Sequence, residues 1–117
     1  RGTQNEVDVL VCKDNKVIII ECKATKSSLS FKYVQKWLSE IVPTFQKWLQ
    51  NTYPQRKYEF QIWSLGGFDE QATTLLKKHK QATTKYTLSY YSKSDIVDIA
   101  KDYGDHNFMN QIKKHFS

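Results

Sequence analysis

Two β-branched runs joined by a tight polar turn constrain the fold more than any other feature of this chain. Residues 6–12 (Glu-Val-Asp-Val-Leu-Val-Cys) and 16–23 (Lys-Val-Ile-Ile-Ile-Glu-Cys-Lys) are separated by a segment centred on Asp14-Asn15, and so predict a β-hairpin. With Asp14-Asn15 as the two turn residues, Lys13 faces Lys16, Asp8 faces Glu21 and Glu6 faces Lys23. Directly opposed residues of an antiparallel pair share a sheet face, as do residues i and i+2 of one strand. Glu6, Asp8, Glu21 and Lys23 therefore gather on one patch, on the face that also carries Leu10, Cys12, Val17 and Ile19. The opposite face carries Val7, Val9, Val11, Ile18, Ile20 and Cys22. Both faces are apolar away from the charged patch, which predicts a hairpin covered on both sides. Cys12 and Cys22 fall on opposite faces and are not expected to pair.

The rest of the chain alternates helical and extended patterns. Ser27, Ser28 and Ser30 offer N-caps to a helix whose apolar stripe is Val34, Trp37, Leu38, Ile41, Phe45, Trp48 and Leu49. Pro43 is expected to kink that helix or restart it as a second one. Residues 58–64 form a third strand, ended by Gly66-Gly67. Asp69 and Glu70 open a helix whose last turn carries Lys77, Lys78, His79 and Lys80, charges that suit the helix dipole at both ends. Residues 85–91 form a fourth strand. Ser92 and Asp95 resemble a capping box for a helix over 93–102, and a short amphipathic helix (Phe108, Met109, Ile112, Phe116) follows. The expected order is β-β-α-β-α-β-α-α, an α/β domain with a central mixed sheet and helices on both faces.

Length and composition bound the possibilities. A chain of 117 residues, 39% hydrophobic and 26% charged, suits one globular domain rather than two or a disordered segment. Its longest apolar runs are too short to span a bilayer, so no membrane partner is expected. No segment reads as a secretory signal and the chain starts at Arg1, so residues 1–117 are expected to be one domain of a larger protein. Eighteen Lys and Arg against twelve Asp and Glu give a net charge of +6, which favours polyanionic partners. The excess is almost all Lys, suited to non-specific phosphate contact more than to bidentate base reading. Two cysteines make no disulfide framework, and a reducing, cytoplasmic location is the expectation.

The charged patch carries the chemistry. Two carboxylates ~5 Å apart repel by about 3 kcal/mol at an effective dielectric of ~20. Either one of them takes a proton or a cation sits between them. A hard divalent ion suits such an oxygen set, and Mg²⁺ commonly uses one or two carboxylates with waters and a substrate phosphate. Lys23, two residues from Glu21, can then orient water or stabilise charge on phosphorus. Hydrolysis of a phosphodiester is the reaction this set suggests.

Asp8, twelve intervening residues and then Glu21-Cys22-Lys23 on the next strand resemble the Asp…(Glu/Asp)-x-Lys signature of the PD-(D/E)xK, or restriction-endonuclease-like, nuclease superfamily. The following helix, strand and helix extend the resemblance over about residues 6–91. Asn5-Glu6-Val7-Asp8 with Ile20-Glu21-Cys22-Lys23 looks especially like nuclease domains of prokaryotic defence and CRISPR-associated effectors. The resemblance implies that Asp8 and Glu21 are metal ligands, with the Cys22 backbone carbonyl as a third, and that Lys23 is the catalytic lysine. It implies Mg²⁺ or Mn²⁺ as cofactor and DNA as substrate, with RNA an alternative. Other domains of a longer chain are implied partners, and a homodimer is one arrangement for cutting both strands. Valine rather than proline precedes Asp8, a common variation. The family's first helix and strand precede this hairpin, so that part of the site is expected upstream of Arg1.

A loose Asp…Glu-x-Lys pattern arises by chance in roughly one chain in five of this length, so the specific signal is its placement on two joined apolar strands. Glu6 is a further candidate, as a third acid, a partner for Lys23 or a solvated strand end. Lys26, Lys32 and Lys36 are candidates for phosphate contact, or simply a solvated helix face. Trp37, Phe45 and Trp48 are expected in the core, and Trp63, Tyr90 and Tyr91 in strand packing. His79, His106 and His115 show no metal-ligand spacing. Two other readings remain open: a structure-selective nuclease like the Holliday-junction resolvases, and a non-catalytic nucleic-acid-binding module on the same fold.

Overall fold

The hairpin forms in the register its turn dictates. In the computed structural model, which describes residues 6–103 and the side chains of residues 9–99, β1 (Glu6–Lys13) and β2 (Lys16–Lys23) pair antiparallel. Glu6 lies opposite Lys23, Asp8 opposite Glu21 and Lys13 opposite Lys16. Asp14 takes a φ of 55°, the left-handed conformation that a short polar side chain tolerates in a two-residue turn. β3 (Lys57–Ser64) runs parallel to β2, and β4 (Thr87–Tyr91) parallel to β3, giving one mixed sheet in the order β1-β2-β3-β4.

Parallel neighbours need crossovers, and these are helical. The first comprises α1 (Phe31–Lys36), a π-helical turn (Trp37–Ile41) and α2 (Val42–Thr52); the second is α3 (Glu70–Ala82). Val34, Trp37, Leu38, Val42, Leu49, Ala72 and Leu76 pack on one sheet face, against Val17, Ile19, Tyr58, Phe60, Ile62 and Leu88. α4 (Lys93–Tyr103) lies on the other face, where Ile96 meets Trp63 with Ile20, Cys22 and Tyr91 around them. The Ser92 backbone N–H and hydroxyl both donate to Asp95 Oδ2, at 2.9 and 3.0 Å, as the capping signal predicts. The expected final helix (Phe108, Met109, Ile112, Phe116), like His106 and His115, lies outside the described residues.

Two expectations are corrected, and the one for Pro43 takes a definite form. β1 is an edge strand, and Val9, Leu10, Val11 and Cys12 are exposed, Leu10 at 41%. The crossovers run from β2 to β3 to β4, so their helices roof those three strands, and among the described residues the hairpin is covered only on its β2 side. Pro43 stands in the first turn of α2, so the helix restarts there as a second one, as expected. The restart runs through the π turn, where Val42 N–H bonds Trp37 O, five residues back, and Thr44 Oγ1 donates to Glu40 O at 2.7 Å. The wider turn accommodates a proline that has no N–H to give. It also shifts the phase of the apolar stripe, which corrects Trp48. Val42, Gln46 and Leu49 face the core, while Trp48 turns outward to 45% exposure and packs edge-on against Tyr53.

The loops leaving β2 and β3 clasp each other beyond the sheet. Leu29 N–H donates to Gly67 O and Asp69 N–H to Leu29 O, both at 2.9 Å, and Leu65 N–H donates to Lys23 O at 3.1 Å. A Cβ on Gly66 would stand 2.2 Å from Ser27 O, a backbone atom with no flexible end to move aside. Gly66→Ala is therefore expected to destabilise the protein by about 1–3 kcal/mol, read as a lower urea midpoint at unchanged slope.

Candidate active site

Among the described residues Glu21 is the buried charged one, only 1% exposed on the helix-roofed face near the end of β2. A carboxylate withdrawn from water needs donors. Tyr33 supplies one, its hydroxyl donating to Glu21 Oε2 at 2.7 Å. Ser30 sets Tyr33 in place: its hydroxyl accepts from Tyr33 N–H at 3.2 Å, capping α1, and its carbonyl accepts from Val34 N–H at 3.1 Å. Tyr33 thus sits in the first turn of the helix, beside the buried Val34.

Lys23 shares the face of Glu21, two residues on. It is half-buried, with Nζ 5.3 Å from the centre of the Tyr33 ring, within cation–π range. In the sheet, Ile62 neighbours Glu21 and Ser64 neighbours Lys23. Ser64 is fully buried and its hydroxyl donates to Gly67 O at 2.7 Å, tying the strand end to the clasp. The Cys22 side chain packs on the opposite face, against the Trp63–Ile96 cluster. Cys12 and Cys22 form no disulfide.

The register brings positions 6 and 8 across from 23 and 21 on this face. The side chains of Glu6 and Asp8 lie outside the described residues. Among the described residues, no group of three His, Cys, Asp or Glu side chains forms a metal cluster. Lys26, Lys32 and Lys36 are all exposed, Lys26 on the loop after β2 and the other two one turn apart on α1. Lys77 and Lys78 are exposed, and Lys80 Nζ lies 5.8 Å from the Tyr90 ring.

Tyr33 is the residue that sequence reasoning missed. Its signal was modest: the third position after the N-cap candidate Ser30, in the first turn of the helix that follows Lys23. The apolar stripe begins one residue later, at Val34, and drew attention away from it.

His79 has a structural role, away from this site. Its Nε2 lies 2.6 Å from Tyr86 Oη, linking α3 to the segment before β4. Burial lowers the His79 pKa below its usual 6.5 and raises that of Tyr86, so at neutral pH the phenol donates to a neutral imidazole. The folded state then binds fewer protons than the unfolded chain below pH ~6.5, and stability falls as pH drops through that range. The wild-type melting temperature is expected to fall more between pH 7.5 and 5.5 than that of His79→Gln; equal slopes would remove this link.

Among the described residues, no helix is long and apolar enough to cross a membrane. The architecture defines the chain as an α/β protein with a mixed four-stranded sheet flanked by helices. No family model matches it, and neither a curated protein nor a solved structure is significantly similar to it.

Proposed function

We propose that this chain is a metal-dependent endonuclease domain of the PD-(D/E)xK type, hydrolysing DNA phosphodiesters as the cleavage module of a larger restriction or defence protein. The observation that carries the reading is the pairing of Asp8 with Glu21 at the end of the hairpin, beside a Glu21 that is almost wholly buried and a Lys23 on the same face. Burying one carboxylate opposite another acid is costly unless one of them takes a proton or a cation joins them, and the Tyr33 hydroxyl donating to Glu21 favours the ionised form that a cation needs. The candidate donors are all oxygens: the Asp8 and Glu21 carboxylates and the Cys22 carbonyl. That set suits Mg²⁺ or Mn²⁺ rather than a thiolate- or imidazole-seeking metal.

When bound, the ion supplies an activated water and neutralises charge on the phosphate. Glu21, held by Tyr33, offers a fixed carboxylate to that centre. Lys23 stands two residues further on, where its ammonium can orient the attacking water or stabilise the charge that develops on the phosphoryl oxygens. Lys26, Lys32 and Lys36 follow the site along the chain and suit backbone phosphates.

Incubation of plasmid and single-stranded DNA with the intact protein tests the reading, with Mg²⁺, with Mn²⁺ and with chelator. Metal-dependent cleavage is the expected result, and parallel RNA and branched-DNA substrates assign the preferred polymer. DNA binding without cleavage in either metal would replace this reading with a non-catalytic binding module.

A further inference from the structure

We propose that Tyr33 is the positioning residue of the site, holding both residues of the Glu-x-Lys pair with different parts of one side chain; the inference rests on the nuclease reading. Its hydroxyl donates to Glu21 Oε2 at 2.7 Å, while its ring lies 5.3 Å from Lys23 Nζ. Glu21 and Lys23 point to the same face of β2, and a residue in the first turn of the overlying helix can reach both. A donor on one carboxylate oxygen restricts the rotation of the group and stabilises its anionic form, which is the form a cation needs. An aromatic face near the ammonium narrows the choice among the rotamers of a four-carbon stem. Tyr33 is itself held on both sides. Ser30 caps its helix, and Leu29, the residue before that cap, is bonded into the clasp through Gly67 and Asp69.

The two halves of the side chain separate by substitution. Tyr33→Phe removes the hydroxyl and keeps the ring; Tyr33→Leu removes both. Direct Mn²⁺ binding is measured by the paramagnetic resonance signal of the free ion, without substrate, and cleavage rates are measured across Mn²⁺ concentration. Tyr33→Phe is expected to weaken Mn²⁺ binding roughly 10-fold, since groups that orient a ligand are commonly worth that much or more. Its cleavage should need correspondingly more Mn²⁺ to reach half its maximal rate. Tyr33→Leu should show the same weakened binding and a further roughly 2–10-fold fall in kcat, from the lost contact with Lys23. Melting temperatures taken in chelator confirm that the proteins compared are folded.

A Tyr33→Phe protein that binds Mn²⁺ as tightly as wild type overturns the positioning role while the nuclease reading stands. So does a loss of activity that merely tracks a lower melting temperature. If wild type itself shows no saturable Mn²⁺ binding, the metal-centre reading fails, and the role of Tyr33 fails with it.

Discussion

Asp8→Ala is expected to lower the rate of metal-dependent DNA cleavage by about 10³-fold or more, with little change in thermal stability measured in chelator. A bound divalent ion contributes several kcal/mol of transition-state stabilisation, and each ~1.4 kcal/mol is tenfold in rate. Position 8 lies on the edge strand β1, directly opposite Glu21. The alanine removes one of two opposed acids. Glu21→Ala should cost similar activity, but with a fold penalty as well, because it empties a fully packed position under α1. Lys23→Ala should cost about 10²–10³-fold, the usual scale for removing one electrostatic stabiliser, with metal binding retained. That contrast separates the proposed roles: the acids act through metal affinity and rate, the lysine through rate alone. Cleavage that persists at wild-type rates in both Asp8→Ala and Lys23→Ala would show that the reaction runs elsewhere on the molecule.

The largest effect on stability is expected at Phe60. It is fully buried at the centre of the roofed face, between Ile19 of β2 and Leu88 of β4, and meets the Tyr86 ring edge-on at 5.0 Å. Phe60→Ala is expected to cost about 3–5 kcal/mol, from lost burial and from the cavity left behind. For a domain of this size that corresponds to a fall in melting temperature of roughly 10–25 °C. The same substitution at Trp48, exposed and outside the core, should change stability by about 0.5 kcal/mol or less. Comparable losses at the two positions would mean that the helix phase after the π turn has been misassigned.

Those two aromatics mark where local pattern was informative and where it was not. The strand run at 58–64 has period 2, and its alternation puts Tyr58, Phe60 and Ile62 on one face whatever the rest of the chain does. The stripe through Trp37 and Trp48 carries one helical phase across Pro43, where a kink or a restart is also expected. That phase depends on how the helix absorbs Pro43, and the π turn settles it by rotating Gln46 inward and Trp48 outward. The proline announces a disturbance without specifying its form, because a kink, a break and a widened turn all satisfy the missing N–H.

The sequence by itself determined the hairpin, its register and the facing of Asp8 with Glu21. A two-residue turn and strict alternation leave no freedom once the turn residues are named. It also determined the order of helices and strands as far as Tyr103 and the capping at Ser92. Only the tertiary structure decided which side of the hairpin is covered. The apolar residues of β1 and β2 look alike in the sequence, but burial depends on where the crossover helices land, and they land over β2, β3 and β4. The tertiary structure also brought Tyr33 to Glu21. The contact joins residues twelve apart in the chain, on a strand and on the helix that folds back over it. No periodicity within either element encodes it; it follows from the short loop through Leu29 and the clasp that fixes where α1 begins.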